Sequence, residues 1–291
     1  MHFLMAFFSA AAHSMNSISL RVYQTRLQKS NADLRLFQGL YMLLASLAYC
    51  ILIGFSFSLD PLGWALALCY GLDLALTGLT VSACFQCGPM SVTSVISNAC
   101  VALPIAVGCI FYQEVMHLPQ IIGCVLLAIT FLLPCLGNRG EGKIALKWYP
   151  LVVLAFFFNG MGAVLLNVYG REAESAAQNA FLAVGYGVAA LIYLGISMVQ
   201  HARQEKTPGK GFFSPLLGAL LLTASMGGFI GNGLLMSLNT VLPASVLYPM
   251  VNGGIGVLVA IVSCTVFKEK LTTQKLLAIL TGLGAIVLLN L

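Results

Sequence analysis

The chain has 291 residues, of which 59% are hydrophobic and only 8% are charged, and its mean hydropathy is +0.95. A water-soluble fold of this length cannot cover so much apolar surface, so soluble enzymes and soluble binding proteins are excluded. The net charge of +5 follows from the membrane topology described below, and we expect no nucleic-acid partner.

Ten apolar runs follow one another along the chain, each near the length of about 18 to 20 residues that a helix needs to cross a bilayer. Strands of a lipid-facing barrel would alternate apolar and polar residues, which these runs do not. We therefore predict an all-α integral membrane protein with ten transmembrane helices in the lipid bilayer. The predicted spans are residues 2–24, 36–57, 62–84, 89–112, 118–137, 148–170, 177–200, 212–236, 241–267 and 271–291.

The basic residues predict the orientation of these helices. Of the 14 Lys and Arg residues, all except Arg171 lie at the joints that follow odd-numbered helices. Positive residues favour the cytoplasmic side, so both termini are predicted to be extracytoplasmic. No N-x-S/T sequon occurs in the chain, which fits a bacterial cytoplasmic (inner) membrane.

The second half of the sequence repeats the first half. A shift of 155 residues places Glu114 on Glu269, and a shift of 154 places Pro89 on Pro243 and Asn98 on Asn252. Two units of five helices follow, residues 1–140 and residues 141–291. Because five is an odd number, the second unit enters the membrane inverted relative to the first. Inverted repeats are typical of secondary active transporters, whose substrate site lies near the midplane and whose access alternates.

The repeated turn before the fifth and tenth helices reads FYQEVMHLPQIIG in the first copy and VFKEKLTTQKLLA in the second. With the five-plus-five array and a proline at the start of the fourth and ninth helices, the chain resembles the drug/metabolite transporter superfamily, in particular its EamA-like members. The resemblance covers nearly the whole chain and implies a transporter of a small metabolite. The charge bias is more similar to the glucose/ribose uptake branch than to bacterial exporters, which favours uptake.

Other classes are weaker interpretations. No H-E-x-x-H or G-x-S-x-G motif is present, so we do not expect an enzyme, a cofactor or a metal site. An exporter of the same fold, a lipid flippase and a non-transporting membrane partner stay open as alternatives. The expected assembly is a monomer or a homodimer that takes a small polar substrate, such as a sugar or an amino acid.

Polar residues at helical spacing inside the spans predict a central substrate cavity, because polar groups in lipid favour the bundle interior. An intramembrane Asn, Ser or Thr can also serve only to bond a neighbouring helix, for about 0.6 kcal/mol. The predicted cavity residues are His13, Asn16, Tyr70, Asp73, Thr77, Asn98, Asn159, Asn232, Tyr248 and Asn252.

Asp73 is the acidic residue placed deepest in a predicted span, and His13 lies at similar depth in the first span. An ionised carboxylate at the midplane costs several kcal/mol unless it is paired or hydrated. Two functional roles are open: Asp73 binds a cationic part of the substrate, or Asp73 carries a coupling proton with His13 as its partner. In the structural alternative, Asp73 is protonated and bonds the backbone or the Tyr70 hydroxyl.

Overall fold

The computed structural model describes residues 2–28, 30–87, 93, 99–132, 146–204, 214–266 and 273–289. Ten α-helices have defined bounds in this part of the chain. They are α1 (His2–Arg26), α2 (Asn31–Leu52), α3 (Pro61–Cys87), α4 (Ala102–Phe111), α5 (Leu118–Leu132), α6 (Trp148–Glu172), α7 (Ser175–Gln204), α8 (Pro215–Leu238), α9 (Ala244–Thr265) and α10 (Thr273–Leu289). A short 3₁₀ turn, Ala99–Val101, directly precedes α4.

Six of these helices, α1, α2, α3, α6, α7 and α8, are long and apolar enough to cross a membrane. In the other four, the described apolar segments have 10 to 17 residues. The all-helical membrane fold predicted from the sequence is therefore confirmed at the level of fold class, with ten helices and six clear candidate spans among the described residues.

The second helix begins and ends about five residues earlier than its apolar run. Ser30 is its N-cap, with an extended backbone and a side chain that accepts a hydrogen bond from the Asp33 amide (3.1 Å). This bond satisfies one of the free donors at the helix start, so polar residues of the preceding joint become helical. The helix ends before Gly54 and Phe55, which have φ values of 59° and 58°. A left-handed backbone cannot continue an α-helix.

Helices of the first half of the chain pack mainly against helices of the second half. The main pairs are α1 with α8, α2 with α7, α3 with α6 and α7, and α5 with α10. Ser46 Oγ donates to the Ala183 carbonyl (2.7 Å) and Ser197 Oγ donates to the Ala32 carbonyl (2.9 Å). The order of these bonds shows that α2 and α7 run antiparallel, so the centre of the bundle is built from both halves.

Close helix packing is clearest between α1 and α8. A Cβ atom on Gly227 would lie 2.6 Å from the Ala12 carbonyl oxygen and 2.9 Å from the Asn16 amide nitrogen. The two backbones can approach this closely because glycine has no side chain. The Ser9 hydroxyl then donates to the Gly231 carbonyl across the contact (2.8 Å).

Side-chain burial is arranged for a lipid environment. Large apolar side chains such as Ile51, Leu62, Ile110 and Leu191 are exposed on the outside of the bundle. The largest fully buried side chains include five tyrosines, Tyr23, Tyr49, Tyr70, Tyr193 and Tyr248. Tyrosines therefore lie in the interior, and large apolar side chains cover much of the outside.

Candidate functional site

A cavity of about 220 Å³ lies in the middle of the bundle, between helices of both halves. Its described walls come from α1, α3, α6, α8, α9 and the 3₁₀ turn before α4. Eight of the residues predicted from the sequence line it, namely His13, Tyr70, Asp73, Thr77, Asn159, Asn232, Tyr248 and Asn252. The structure thus brings together polar groups that are up to 239 positions apart, since 252 minus 13 is 239.

Two residues of the predicted set are not in this group. Asn16 donates a hydrogen bond to the Ala224 carbonyl on α8 (3.0 Å), so it joins two helices and does not face the cavity. Asn98 lies outside the described residues.

The carboxylate of Asp73 is buried in the cavity wall, and the residue is only 6% exposed. Its Oδ1 has no hydrogen-bond partner among the described residues. On the facing helix α6, a Cβ atom on Gly162 would lie 2.6 Å from Oδ2. The absence of a side chain at Gly162 therefore makes the space for this carboxylate, and one of its oxygens is left for another donor.

His13 faces the same cavity from α1. Its Nδ1 lies 2.9 Å from the Ser9 carbonyl oxygen, which can only accept, so Nδ1 carries a proton in this contact. A Cβ atom on Gly231 would lie 2.3 Å from Nδ1, so the imidazole ring packs directly against the backbone of α8. Packing and hydrogen bonding therefore fix the orientation of the ring.

The other polar groups of the cavity are amides and hydroxyls. Asn232 donates to the Tyr186 hydroxyl, and Asn252 donates to the Tyr248 carbonyl one turn earlier (3.0 Å). The Tyr248 hydroxyl donates to the Ala163 carbonyl of α6 (2.7 Å). The Asn232 side chain is also hydrogen-bonded to His13. The second donor and the acceptor of Asn252 can serve a ligand.

A second polar cluster, which the sequence did not mark as a site, lies at the α4–α5 turn. Arg171, near the end of α6, forms an ion pair with Glu114 and lies over the Tyr112 ring, 4.1 Å from its centroid. Glu114 also accepts hydrogen bonds from the backbone amides of Ala244 (2.9 Å) and Ser245 (3.0 Å) at the start of α9. The only sequence signals were the recurrence of this acid in the repeat and the isolation of Arg171 from the other basic residues.

These surroundings explain the pKa of Glu114, which lies outside the spans. Burial raises its pKa, but the amides of Ser245 and Ala244 and the guanidinium of Arg171 together outweigh burial. The pKa of Glu114 therefore lies below its ordinary value.

Hydrogen bonds connect this cluster to the cavity. Arg171 Nε donates to Asn167 Oδ1 (3.2 Å), and Asn167 Nδ2 donates to Asn239 Oδ1 (2.9 Å). Asn239 Nδ2 in turn lies 3.3 Å from the Tyr248 hydroxyl, which is part of the cavity wall. A continuous polar chain thus joins the α4–α5 turn to the cavity.

A wider depression, of about 440 Å³, lies at the α2–α3 and α6–α7 connections. Asp60, Glu172 and Glu174 line it, together with Tyr169 and small or apolar residues. It lies at helix ends, whereas the 220 Å³ cavity lies between central helices of both halves and is lined by eight of the predicted polar residues. We therefore take the central cavity as the candidate substrate site.

Residues 146–291 match the sequence model of the EamA-like transporter family. The chain belongs to the EamA-like transporter family. Its membership identifies a multi-pass membrane transporter of the drug/metabolite type, as the repeated turn had indicated. The matched region includes the cavity residues Asn159, Asn232, Tyr248 and Asn252.

This EamA-like transporter also has the fold of a protein of known crystal structure. The two superpose with a TM-score of 0.73, covering 100% of this chain and 98% of the other, at 11% sequence identity. At that identity the likeness concerns the fold alone. No curated protein matches the chain significantly in sequence.

Proposed function

We propose that this EamA-like protein is a secondary active transporter that moves a small polar metabolite through the central cavity by alternating access. The observation that carries the proposal is the convergence of eight polar side chains, contributed by both halves of the chain, on one buried cavity. Buried polar groups in a membrane bundle are expensive unless they serve a ligand, a proton or a neighbouring helix.

The proposed mechanism uses two inverted five-helix repeats, residues 1–140 and 141–291. Its support is the packing pattern: when each helix is replaced by its counterpart five positions away in the other repeat, the α1–α8 contact becomes the α6–α3 contact. The same operation relates α2 to α7, and these two helices run antiparallel, as an inverted repeat requires. Rocking of one repeat against the other would then expose the cavity to each side in turn.

We place the protein in the bacterial cytoplasmic membrane with both termini outside, as a monomer or homodimer, and we favour uptake. The charge distribution supports this orientation, because Arg171 is the one basic residue at the joints that follow even-numbered helices. Asp73 and His13 are the proposed groups for proton coupling, since both are titratable and both face the cavity.

Transport can be tested with the purified protein. A panel of polar metabolites would first be screened by thermal shift, and hits would be measured for entry into proteoliposomes. We expect saturable uptake that rises with a proton gradient and is largely lost in Asn252→Leu, because this change replaces a polar cavity group by an apolar one of similar size. Thr240→Ala, at an exposed position two residues after the end of α8, is the control.

Two outcomes would overturn the proposal. In one, no metabolite enters faster than in protein-free liposomes. In the other, Asn252→Leu transports at the wild-type rate, which would place the pathway outside this cavity. Phospholipid translocation by the same proteoliposomes would indicate a flippase instead.

A further inference from the structure

We infer that the central cavity binds small amines, molecules with one positive charge and no carboxylate, and that Asp73 supplies the counter-charge. This inference rests on the proposed function, since it names the substrate class of the same cavity. It goes further in separating amines from the sugars and amino acids that the fold would equally accommodate.

The unsatisfied carboxylate oxygen is the main observation. Asp73 is 6% exposed, lines the cavity, and has an Oδ1 without a hydrogen-bond partner among the described residues. A buried acceptor without a donor is costly, and the cost is greater for a charged group. An ammonium group would satisfy the acceptor and balance the negative charge, because it supplies N–H donors and a positive charge.

The described residues of the cavity offer no matching site for an anion. Among its described lining residues there is no Lys or Arg, and the one basic side chain is His13, whose Nδ1–H already bonds the Ser9 carbonyl. The amides at the start of α9, where a substrate carboxylate could bind, are already bonded to Glu114. A zwitterionic amino acid would therefore place its carboxylate near Asp73 without a cationic partner.

The walls and the size of the cavity fit the same class. Tyr70 and Tyr248 line the cavity, and neither side chain carries a charge that competes with an ammonium group for Asp73. A volume of about 220 Å³ corresponds to roughly seven water molecules at about 30 Å³ each. Pockets for drug-sized ligands begin at about 300 Å³, so the expected amine is smaller than a drug.

The charges at the neighbouring helix ends act in the same direction. Asp60, Glu172 and Glu174 line the wider depression at the α2–α3 and α6–α7 connections. The guanidinium of Arg171, which could offset them, is paired with Glu114. A local excess of negative charge raises the concentration of cations near this end of the bundle.

Four probes of nearly equal length separate the classes. Aminobutanol is a cation, aminobutyrate is a zwitterion, butanediol is neutral and hydroxybutyrate is an anion at neutral pH. Binding to the purified full chain in detergent would be measured by thermal shift and by competition against the tightest probe. We expect aminobutanol to bind best, with the other three at least about tenfold weaker, because each loses a charged hydrogen bond or adds an unpaired charge.

Two variants then connect the preference to Asp73. Asp73→Asn keeps the shape and removes the charge, and it should weaken aminobutanol binding about tenfold or more while leaving butanediol unchanged. Should that variant fail to fold, Gly162→Ala addresses the same carboxylate, because its Cβ would lie 2.6 Å from Oδ2. Gly195→Ala is the matched control, since no atom lies within 4 Å of the Cβ it would add.

The outcomes distinguish this inference from the proposed function. Equal binding of all four probes, no binding of aminobutanol, or unchanged aminobutanol binding in both Asp73→Asn and Gly162→Ala would overturn the amine assignment. If proteoliposomes transport a neutral metabolite through the cavity at the same time, the proposed transport function stands and only the substrate class falls. If nothing is transported but amines bind through Asp73, the amine assignment stands and the proposed transport function falls.

Discussion

Arg171, near the end of α6, forms an ion pair with Glu114 in the turn between α4 and α5, and so links the two halves of the chain. The Glu114 side chain is 7% exposed and also accepts two backbone amides at the start of α9. The Glu114 carboxylate thus neutralises the charge of Arg171 near the end of α6, and it also lies at the positive end of the α9 dipole.

Replacing Glu114 should therefore destabilise the protein. Glu114→Gln leaves the Arg171 guanidinium without its counter-charge and weakens the hydrogen bonds to Ala244 and Ser245. We expect the free energy of unfolding to fall by about 1.5–3 kcal/mol, the range for hydrogen bonds to charged groups. Thermal unfolding in detergent would measure this. Glu174→Gln, an exposed acid at the same end, should leave the melting temperature nearly unchanged.

The same carboxylate predicts a pH dependence. The pKa of Glu114 is lower in the folded protein than its ordinary value, so its stabilising effect is complete above the ordinary pKa of about 4.3. The effect is lost as the pH falls through the folded pKa, because protonation removes the charge. Melting curves of wild type and Glu114→Gln between neutral and acid pH should therefore converge on the acid side. Curves that stay parallel would contradict the assignment.

The amide network beneath this ion pair should also be structural. Asn239 is 3% exposed, accepts from Asn167, and donates to the Leu166 carbonyl at 3.3 Å. Asn239→Ala removes these bonds and leaves buried polar atoms unpaired, which should cost about 1–3 kcal/mol. The neighbouring Thr240→Ala is the control and should change stability by no more than about 0.5 kcal/mol. A small effect at Asn239 would mean that water replaces it.

Glycines on α8 allow a test of helix packing within one helix. Gly227→Ala would place a Cβ atom 2.6 Å from the Ala12 carbonyl oxygen, and backbone atoms can yield only if α1 moves. We expect a loss of about 1–3 kcal/mol, typical of overpacking. Gly218→Ala, where no atom lies within 4 Å of the added Cβ, should cause no loss. Equal melting temperatures for the two variants would show that the α1–α8 contact is looser than described.

The polar stripe on α3 could be predicted from the sequence, and the position of Asn16 could not. Tyr70, Asp73 and Thr77 recur at steps of three and four, so they lie on one face whatever surrounds the helix. Asn16 follows His13 by three positions, which turns it by about 60° around α1 from the direction of His13 at about 100° per residue. Tyr70 and Asp73 are related by the same step, so the rotation alone does not exclude Asn16 from the cavity. The packing of α1 on α8 decides it, because it brings the Ala224 carbonyl within hydrogen-bond distance of Asn16.

The contact between Arg171 and Glu114 could not be predicted from the sequence, for a different reason. Hydropathy and charge counts locate spans and their orientation, but they contain no information about which joints meet in space. Glu114 belongs to the repeat and Arg171 is isolated from the other basic residues in the sequence, yet their contact depends on how α4, α6 and α9 pack. The start of α2 was missed locally, since Ser30 and Asp33 are capping signals and not apolar residues.

Large apolar side chains lie outside and tyrosines and buried amides lie inside, so the two layers have different roles. Side chains such as Leu62 and Leu191 contact the solvent around the bundle, while the Gly227 and Asn239 contacts specify which helices meet. Because the first set contributes little to helix pairing, its members can be exchanged for charged residues without altering the second. A water-soluble analogue of this bundle would therefore keep its interior unchanged and replace its outer layer.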